Sequence, residues 1–160
     1  MHTVLRLLIV GVVLGIGGVA TVCADAVADP IDGTWKLNVA KSKFSPGPAL
    51  QSQTRTYAET TQGVALTFSG VAADGSHTSG QSTFRYDGKD YPITGAPNYD
   101  AISLTRIDAN TVKSVQKRAG KEVGTTTRTI SKDGKTMTLA SKGTSAKGSP
   151  YNDVLVFDKQ

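Results

Sequence analysis

The segment Gly33-Thr34-Trp35-Lys36-Leu37-Asn38-Val39 contains the only Trp of this 160-residue chain. Its large apolar residues, Trp35, Leu37 and Val39, alternate with polar residues, which is the period-2 pattern of a β-strand with one buried face. We therefore predict a first strand over 33–39 with these three side chains directed inward. A Trp on a first strand is well placed to close the base of a β-barrel.

Short strand patterns separated by turn sequences fill the chain after this segment. Nine further strands are predicted over 52–60, 63–70, 77–86, 90–94, 99–107, 111–118, 122–131, 135–142 and 150–158. Turn sequences such as Asp74-Gly75, Asp87-Gly88-Lys89 and Asp133-Gly134 provide the positive φ that tight hairpins need. Turns about 8–12 residues apart, with no helical pattern between them, indicate an all-β protein.

A single open sheet of this length would expose two edges and one apolar face. Closure into an up-and-down antiparallel β-barrel removes both problems. We predict one such barrel, of about 8–10 strands, over residues 33–160. A β-sandwich is the alternative, and the lack of long crossover connections after residue 51 argues against it. A barrel of this size is either filled by side chains or holds one small ligand.

The connection over 40–50 contains Pro46 and Pro48, which exclude a regular helix or a central strand there. Phe44 and Leu50 are the large apolar residues of this connection. They either tether the loop to the barrel or form a lid over its mouth, and we favour the tether because loop aromatics usually serve that role.

Residues 1–24 have the pattern of a secretory signal peptide, with Arg6 ahead of an apolar run from Leu7 to Val22. Small residues allow cleavage after 24, 26 or 28, and residues 25–32 then form a polar lead-in. One alternative is a membrane anchor, but the apolar run is shorter than the ~20 residues that span a bilayer. The other alternative is lipid attachment at Cys23. We expect a secreted or periplasmic protein with no membrane contact after cleavage.

Composition excludes several kinds of chemistry. Cys23 is the only Cys, so the exported chain has no disulfides and no thiol chemistry. Without Arg6 the 18 basic residues become 17, against 13 acidic ones. This small excess serves solubility and the protection of strand edges, so we predict no nucleic-acid partner.

No catalytic apparatus is visible in the sequence. His77 is the only His beyond the signal segment, and its neighbours Asp74 and Ser76 belong to a turn. Sequence neighbours of this kind are not a catalytic triad. The chain has neither metal-ligand spacing nor a glycine-rich phosphate loop. We therefore predict a protein that is not an enzyme and that uses no metal or cofactor.

The segments Gly33–Pro48 (GTWKLNVAKSKFSPGP) and Ser131–Thr138 (SKDGKTMT), with the strand pattern around them, resemble the calycin superfamily of lipocalins and fatty-acid-binding proteins. The closer resemblance is to small exported bacterial lipocalin-like proteins. It implies a barrel of eight to ten antiparallel strands that carries a small apolar molecule.

The chain also departs from those families. Lipocalins usually place an Arg late in the chain against the Trp, and the segment Tyr151–Asp158 has none. The region of the Arg-x-Tyr pair of fatty-acid-binding proteins reads Val154-Leu155-Val156-Phe157, and the prolines argue against their helical pair. The binding residues of the families are therefore not transferred to this chain.

The candidate ligand-binding residues are the large side chains predicted to face inward and two strand arginines. They are Trp35, Leu66, Phe68, Phe84, Ile102, Leu104, Arg106 and Arg128. A buried Arg must find a partner, because an unpaired buried charge is costly. We expect Arg106 or Arg128 either to stack on Trp35, which we favour, or to receive the acidic head group of a ligand.

Two functions follow from this interpretation. The first is an exported barrel that binds a small hydrophobic or amphipathic molecule. The second is a packed barrel that acts as a structural or protein-interaction module, for example as an inhibitor of a hydrolase. The two differ in whether the interior has free volume.

Overall fold

The computed structural model describes residues 29–160, which form ten β-strands and one turn of 3₁₀ helix. The strands are β1 (Gly33–Leu37), β2 (Ser52–Thr60), β3 (Gly63–Val71), β4 (His77–Phe84), β5 (Asp87–Pro92), β6 (Ala101–Arg106), β7 (Thr111–Arg118), β8 (Lys121–Ile130), β9 (Thr136–Thr144) and β10 (Pro150–Lys159). The short helix, Val39–Lys41, follows β1. The predicted signal segment, its Cys23 and the cleavage points up to residue 28 lie outside the described residues.

All ten strands belong to one antiparallel sheet in the order β4-β3-β2-β1-β10-β9-β8-β7-β6-β5. Apart from the pairing of β1 with β10, each strand neighbours the strand that precedes or follows it in the chain, which is the up-and-down arrangement. The sheet curls so that its edge strands β4 and β5 meet at a seam, where Ser82 pairs with Ile93. The predicted up-and-down barrel is confirmed, and the ten strands do not divide into the two sheets of a sandwich.

One end of the barrel, the closed end, is filled by large side chains. Those with almost no exposed surface are Ile31, Trp35, Phe84, Met137 and Phe157. The indole Nε1 of Trp35 donates to the backbone carbonyl of Ile31 at 2.7 Å, so a buried polar atom is satisfied locally. Asp29 and Ile31 of the predicted polar lead-in are thus buried at the base of the barrel.

The alternation predicted for the interior holds along the strands. On β3, Val64, Leu66 and Phe68 are buried, because successive side chains of a strand point to opposite faces. Tight turns sit at the predicted Asp-Gly pairs, where Gly75 and Gly134 have φ of +85° and +68°.

Two local predictions were wrong. Val39 is 38% exposed, because the chain leaves the sheet after Leu37 and turns into the 3₁₀ helix, which Asn38 caps by accepting from the Lys41 N–H at 3.1 Å. The predicted turn Asp87-Gly88-Lys89 lies inside β5, where the register with β6 shifts between Asp87 and Asp90.

The proline-containing connection is tied to β10. Lys43 and Val154 exchange two backbone hydrogen bonds of 2.7 and 2.8 Å, and the Asn152 N–H donates to the Ser45 carbonyl at 2.8 Å. Phe44 and Leu50 pack against the core, as the tether interpretation predicts. No helical pair separates β1 from β2, and no helix within residues 29–160 is long and apolar enough to cross a bilayer.

Candidate functional site

A cavity of about 200 Å³ lies inside the barrel, between the closed end and the opposite end, which we call the mouth. A single buried water needs about 10–15 Å³, so this space is large enough for a small organic molecule. Its apolar wall is formed by Leu66, Phe84, Ile93, Ile102, Leu104, Val112, Leu139 and Leu155. Aromatic rings of Tyr57, Tyr99 and Tyr151 add to the lining.

A belt of polar side chains crosses the wall formed by β7, β8, β9 and β10. Gln116 Nε2 donates to Thr126 Oγ1 at 2.9 Å, and the hydroxyls of Thr126 and Ser141 lie 2.8 Å apart. The Tyr151 hydroxyl donates to Gln116 Oε1 at 2.7 Å. Because these groups satisfy one another, the belt holds its side chains in place and gives the cavity one polar side.

Two glycines make room for Tyr151 at the mouth. Gly124 and Gly143 face each other in the register of β8 and β9. A Cβ on Gly124 or Gly143 would lie 2.9 or 2.8 Å from the Tyr151 hydroxyl oxygen. Without side chains at these positions, the hydroxyl sits close to the barrel wall and within reach of Gln116.

Arg128 projects from β8 into the cavity lining and is only 7% exposed. Its Nη2 donates to the Tyr86 hydroxyl at 2.8 Å, and its guanidinium carbon lies 5.7 Å from the centroid of the Tyr57 ring. Its Nε is buried and has no hydrogen-bond partner among residues 29–160. A buried donor without a partner is unfavourable and uncommon, and the Nε of Arg128 is such a donor.

Arg55, which the sequence analysis missed, is a second guanidinium in the cavity wall. Its Nε donates to Gln53 Oε1 at 2.9 Å, and its guanidinium carbon lies 5.5 Å from the Phe68 ring and 5.6 Å from the Phe157 ring. The signal that could have identified it is alternation, because Arg55 shares its parity on β2 with Tyr57.

Neither cavity arginine has a carboxylate partner within residues 29–160. The ion pairs of the described residues join Lys41 to Asp158, Arg106 to Asp29 and Lys117 to Asp90. Arg55 and Arg128 therefore bring two positive charges to the cavity that no acidic side chain within residues 29–160 neutralises directly.

A cluster of three side chains, Asp29, Tyr86 and Arg106, lies at the closed end, below Arg128. Arg106 pairs with Asp29, and its guanidinium carbon lies 4.2 Å from the centroid of the Tyr86 ring. Burial acts to raise the pKa of Asp29, but the Tyr86 hydroxyl, the Ile31 N–H and Arg106 together lower it. Burial raises the pKa of Tyr86 to about 12, so Tyr86 is a neutral hydroxyl at physiological pH.

Five of the eight predicted site residues line the cavity: Leu66, Phe84, Ile102, Leu104 and Arg128. Trp35, Phe68 and Arg106 lie outside the lining. Trp35 and Phe68 belong to the buried core, and Arg106 lies beyond the cavity at the closed end. Contact of any of these eight residues with a ligand stays a prediction.

The predicted stacking of Arg106 or Arg128 on Trp35 is wrong. The cation over the indole is Lys159, whose Nζ lies 5.1 Å from the ring centroid. Lys159 reaches this ring because it is the register partner of Trp35 on β10. Arg106 and Arg128 instead face the ring of Tyr86, at 4.2 and 5.5 Å.

The loop of residues 44–48 flanks the mouth. With residues 145–150 it borders an outer hollow of about 330 Å³. Asn98, Tyr151 and Asp153 line both this hollow and the cavity, so the two spaces adjoin at the mouth.

His77 is exposed at the start of β4, away from the cavity lining. Within the described part of the chain, no three His, Cys, Asp or Glu side chains come together in a way that could hold a metal ion.

No family model matches the sequence, and no curated protein matches it. Among solved structures, the chain is similar to the zebrafish ileal bile acid-binding protein in complex with cholic acid. The TM-score is 0.47 at 10% identity, over 82% of this chain and 99% of that chain. A likeness at this level assigns no ligand to the present protein.

Proposed function

We propose that this protein binds a small amphipathic molecule with an acidic group in the barrel cavity. The observation that carries the proposal is the presence of two guanidiniums in the cavity wall, those of Arg55 and Arg128. Neither forms an ion pair with a carboxylate of the described residues. These two guanidiniums support an anionic occupant, because Arg forms charge-assisted hydrogen bonds to carboxylate or sulfate oxygens, and such bonds are about twice as strong as neutral ones.

The rest of the lining supports an amphipathic body for this ligand. Leu66, Phe84 and Ile102 on one side favour apolar atoms, whereas the belt of Gln116, Thr126 and Ser141 offers hydrogen-bonding groups on the other. Ligand sites are typically apolar with a few placed polar groups. The cavity volume favours this function over the packed interaction module, which would need a filled interior.

Export is part of the proposal and rests on the sequence pattern of residues 1–24. We propose that it is a secreted or periplasmic carrier, whose fold is stabilised by the hydrophobic core without disulfide bonds. Binding, and no catalysis, is the activity we propose.

The test is native mass spectrometry of the protein purified from its own host, followed by unfolding and extraction. The wild type should carry a stoichiometric small molecule that is detected as an anion. Arg128→Gln should lose most of it, because a hydrogen bond to a charged group contributes about 1.5–3 kcal/mol. Arg85→Gln is the matched control, since Arg85 is exposed and donates to the backbone of Thr61 and Gln62.

A clean protein mass for the wild type, together with no response to apolar fluorescent dyes, would contradict the proposal. It would favour the packed barrel, whose function lies on its outer surface. A neutral ligand retained by Arg128→Gln would keep the binding function and reject the acidic group.

A further inference from the structure

The lead-in residues 29–32 are built into the closed end by a set of short contacts. The Ile31 N–H donates to Asp29 Oδ1 at 3.1 Å, and the Asp32 N–H donates to the Asp29 carbonyl at 2.9 Å. Ile31 has no exposed surface, and its carbonyl accepts from the Trp35 indole at 2.7 Å. These bonds fix the Asp29 carboxylate, which is 4% exposed, at one position below the cavity.

Asp29 acts on Tyr86 through Arg106. Its carboxylate pairs with the Arg106 guanidinium, whose carbon lies 4.2 Å from the centroid of the Tyr86 ring. A guanidinium can only donate hydrogen bonds, whereas a Tyr hydroxyl has lone pairs that accept them. The lone pairs of the Tyr86 oxygen can therefore hold an Arg side chain.

Those lone pairs meet Arg128. The Arg128 Nη2 donates to the Tyr86 oxygen at 2.8 Å, so Tyr86 lies between Arg128 and the ion pair of Arg106 with Asp29. The negative charge of Asp29 is used directly by Arg106. Arg128 is thus held in position by a neutral group and keeps its own charge for the cavity.

We propose that Asp29 and Tyr86 are positioning residues, which hold the Arg128 guanidinium toward the cavity and thereby set the preference of the cavity for anions. The inference rests on the proposed function, because it presumes that Arg128 meets an acidic group. It makes the segment just after the predicted signal peptide a determinant of ligand charge selectivity.

The test compares two dyes with the same aromatic skeleton, 1-anilinonaphthalene-8-sulfonate and its neutral counterpart N-phenyl-1-naphthylamine. Their Kd values are measured by fluorescence titration with the wild type, Tyr86→Phe and Asp29→Asn. Tyr86→Phe should weaken binding of the sulfonate about tenfold, the effect of losing one hydrogen bond to a charged group, and should change the Kd of the neutral dye less than about twofold. Asp29→Asn should act in the same direction.

Tyr91→Phe is the matched control, because the Tyr91 hydroxyl also makes a side-chain hydrogen bond, to Asp87, but lies outside the cavity. It should leave the ratio of the two Kd values unchanged. A purely structural role for Tyr86 would weaken both dyes equally, and that result would overturn the inference, as would an unchanged ratio.

An Arg128→Gln variant separates the two proposals. If Arg128→Gln lowers the preference for the sulfonate and Tyr86→Phe does not, the positioning role is wrong and the proposed function stands. If Arg128→Gln has no effect on the ratio, or the wild type binds neither dye, both are wrong. Should Asp29→Asn not fold, Tyr86→Phe, which removes a single oxygen atom, decides the question.

Discussion

The fold shifts the ionisation of Tyr86 strongly. Burial raises its pKa to about 12, despite the nearby charge of Arg128, which lowers it. An unfolded chain loses this proton near pH 10, so between about pH 10 and 12 the folded protein binds more protons than the unfolded chain. The contribution of Tyr86 to stability is therefore complete below pH 10, and the free energy of unfolding should fall as the pH rises toward 12.

Urea unfolding at pH 9 and pH 11 measures this fall. Removing the titrating hydroxyl in Tyr86→Phe should make the loss of stability between the two pH values smaller than in the wild type. Tyr91 is half-buried and serves as the control. Burial and Asp87 also raise the pKa of Tyr91, but less than burial raises that of Tyr86, so Tyr91→Phe should retain more of the wild-type loss than Tyr86→Phe. Equal losses in the wild type and Tyr86→Phe would show that other groups account for the alkaline destabilisation.

At the scale of single residues, alternation identified most of the inward-facing side chains, but it did not identify their contact partners. It correctly placed Arg106 on the face of Ile102 and Leu104, but Arg106 lies one step past the end of the cavity, where Asp29 meets it across 77 residues of chain. Arg55 was missed because its inward-facing neighbours on β2 include Gln53 as well as Tyr57, so no apolar pattern marks that face.

At the scale of elements, the ten predicted strands all exist, because alternation and turn chemistry agree along the chain. The failures occur where one local signal suits two structures. Gly88 has a φ of +75°. A glycine with positive φ suits a register shift within a strand and a hairpin turn equally well, and here it lies at the register shift within β5. The pairing of the loop after β1 with β10 joins segments about 110 residues apart, and no local pattern encodes it.

That pairing leads to a prediction for Asp153. Its Oδ1 accepts from the Ser45 N–H at 2.8 Å and anchors the loop beside the mouth. In Asp153→Ala, the Ser45 amide should exchange with deuterium about tenfold faster, the effect of losing about 1.5 kcal/mol of hydrogen bonding. Hydrogen exchange followed by NMR or mass spectrometry measures this rate.

Asp90→Ala provides the comparison, because Asp90 is exposed and pairs with Lys117 away from the loop. It should leave Ser45 unchanged. Unaltered protection of Ser45 in Asp153→Ala would mean that the backbone bonds of Lys43 with Val154 hold the loop by themselves.

For the molecule as a whole, the barrel could be predicted from its strands, but its free interior could not. The volume left inside depends on how all the inward side chains fill one space, and short side chains such as Ser114, Thr126 and Ser141 leave room there. The same closure brings β2 and β8 to one cavity, which places Arg55 and Arg128 in one lining. The pattern of the individual strands specifies neither the free volume nor the placement of these two arginines in one cavity.

Closure itself is uneven, and the seam between β4 and β5 should be the first part of the wall to open. It is held by the Thr94 N–H donating to the Gln81 carbonyl at 2.9 Å, by the Gln81 N–H donating to Thr94 Oγ1 at 3.2 Å and by Ser82 Oγ donating to the Pro92 carbonyl at 2.8 Å. Pro92 has no N–H to add to the ladder. By contrast, β8 is paired along most of its length with both β7 and β9.

Seam-facing amides of β4 and β5 should therefore exchange with deuterium before those of β8, and Ser82→Ala should accelerate exchange at Ile93 and Thr94 further. Ser79→Ala, an exposed change on the same strand, should not. Protection of β4 and β5 equal to that of β8 would contradict this order of opening. It would mean that packing of buried Phe84 and Ile93 against the core, rather than the sparse hydrogen bonds, holds the barrel shut.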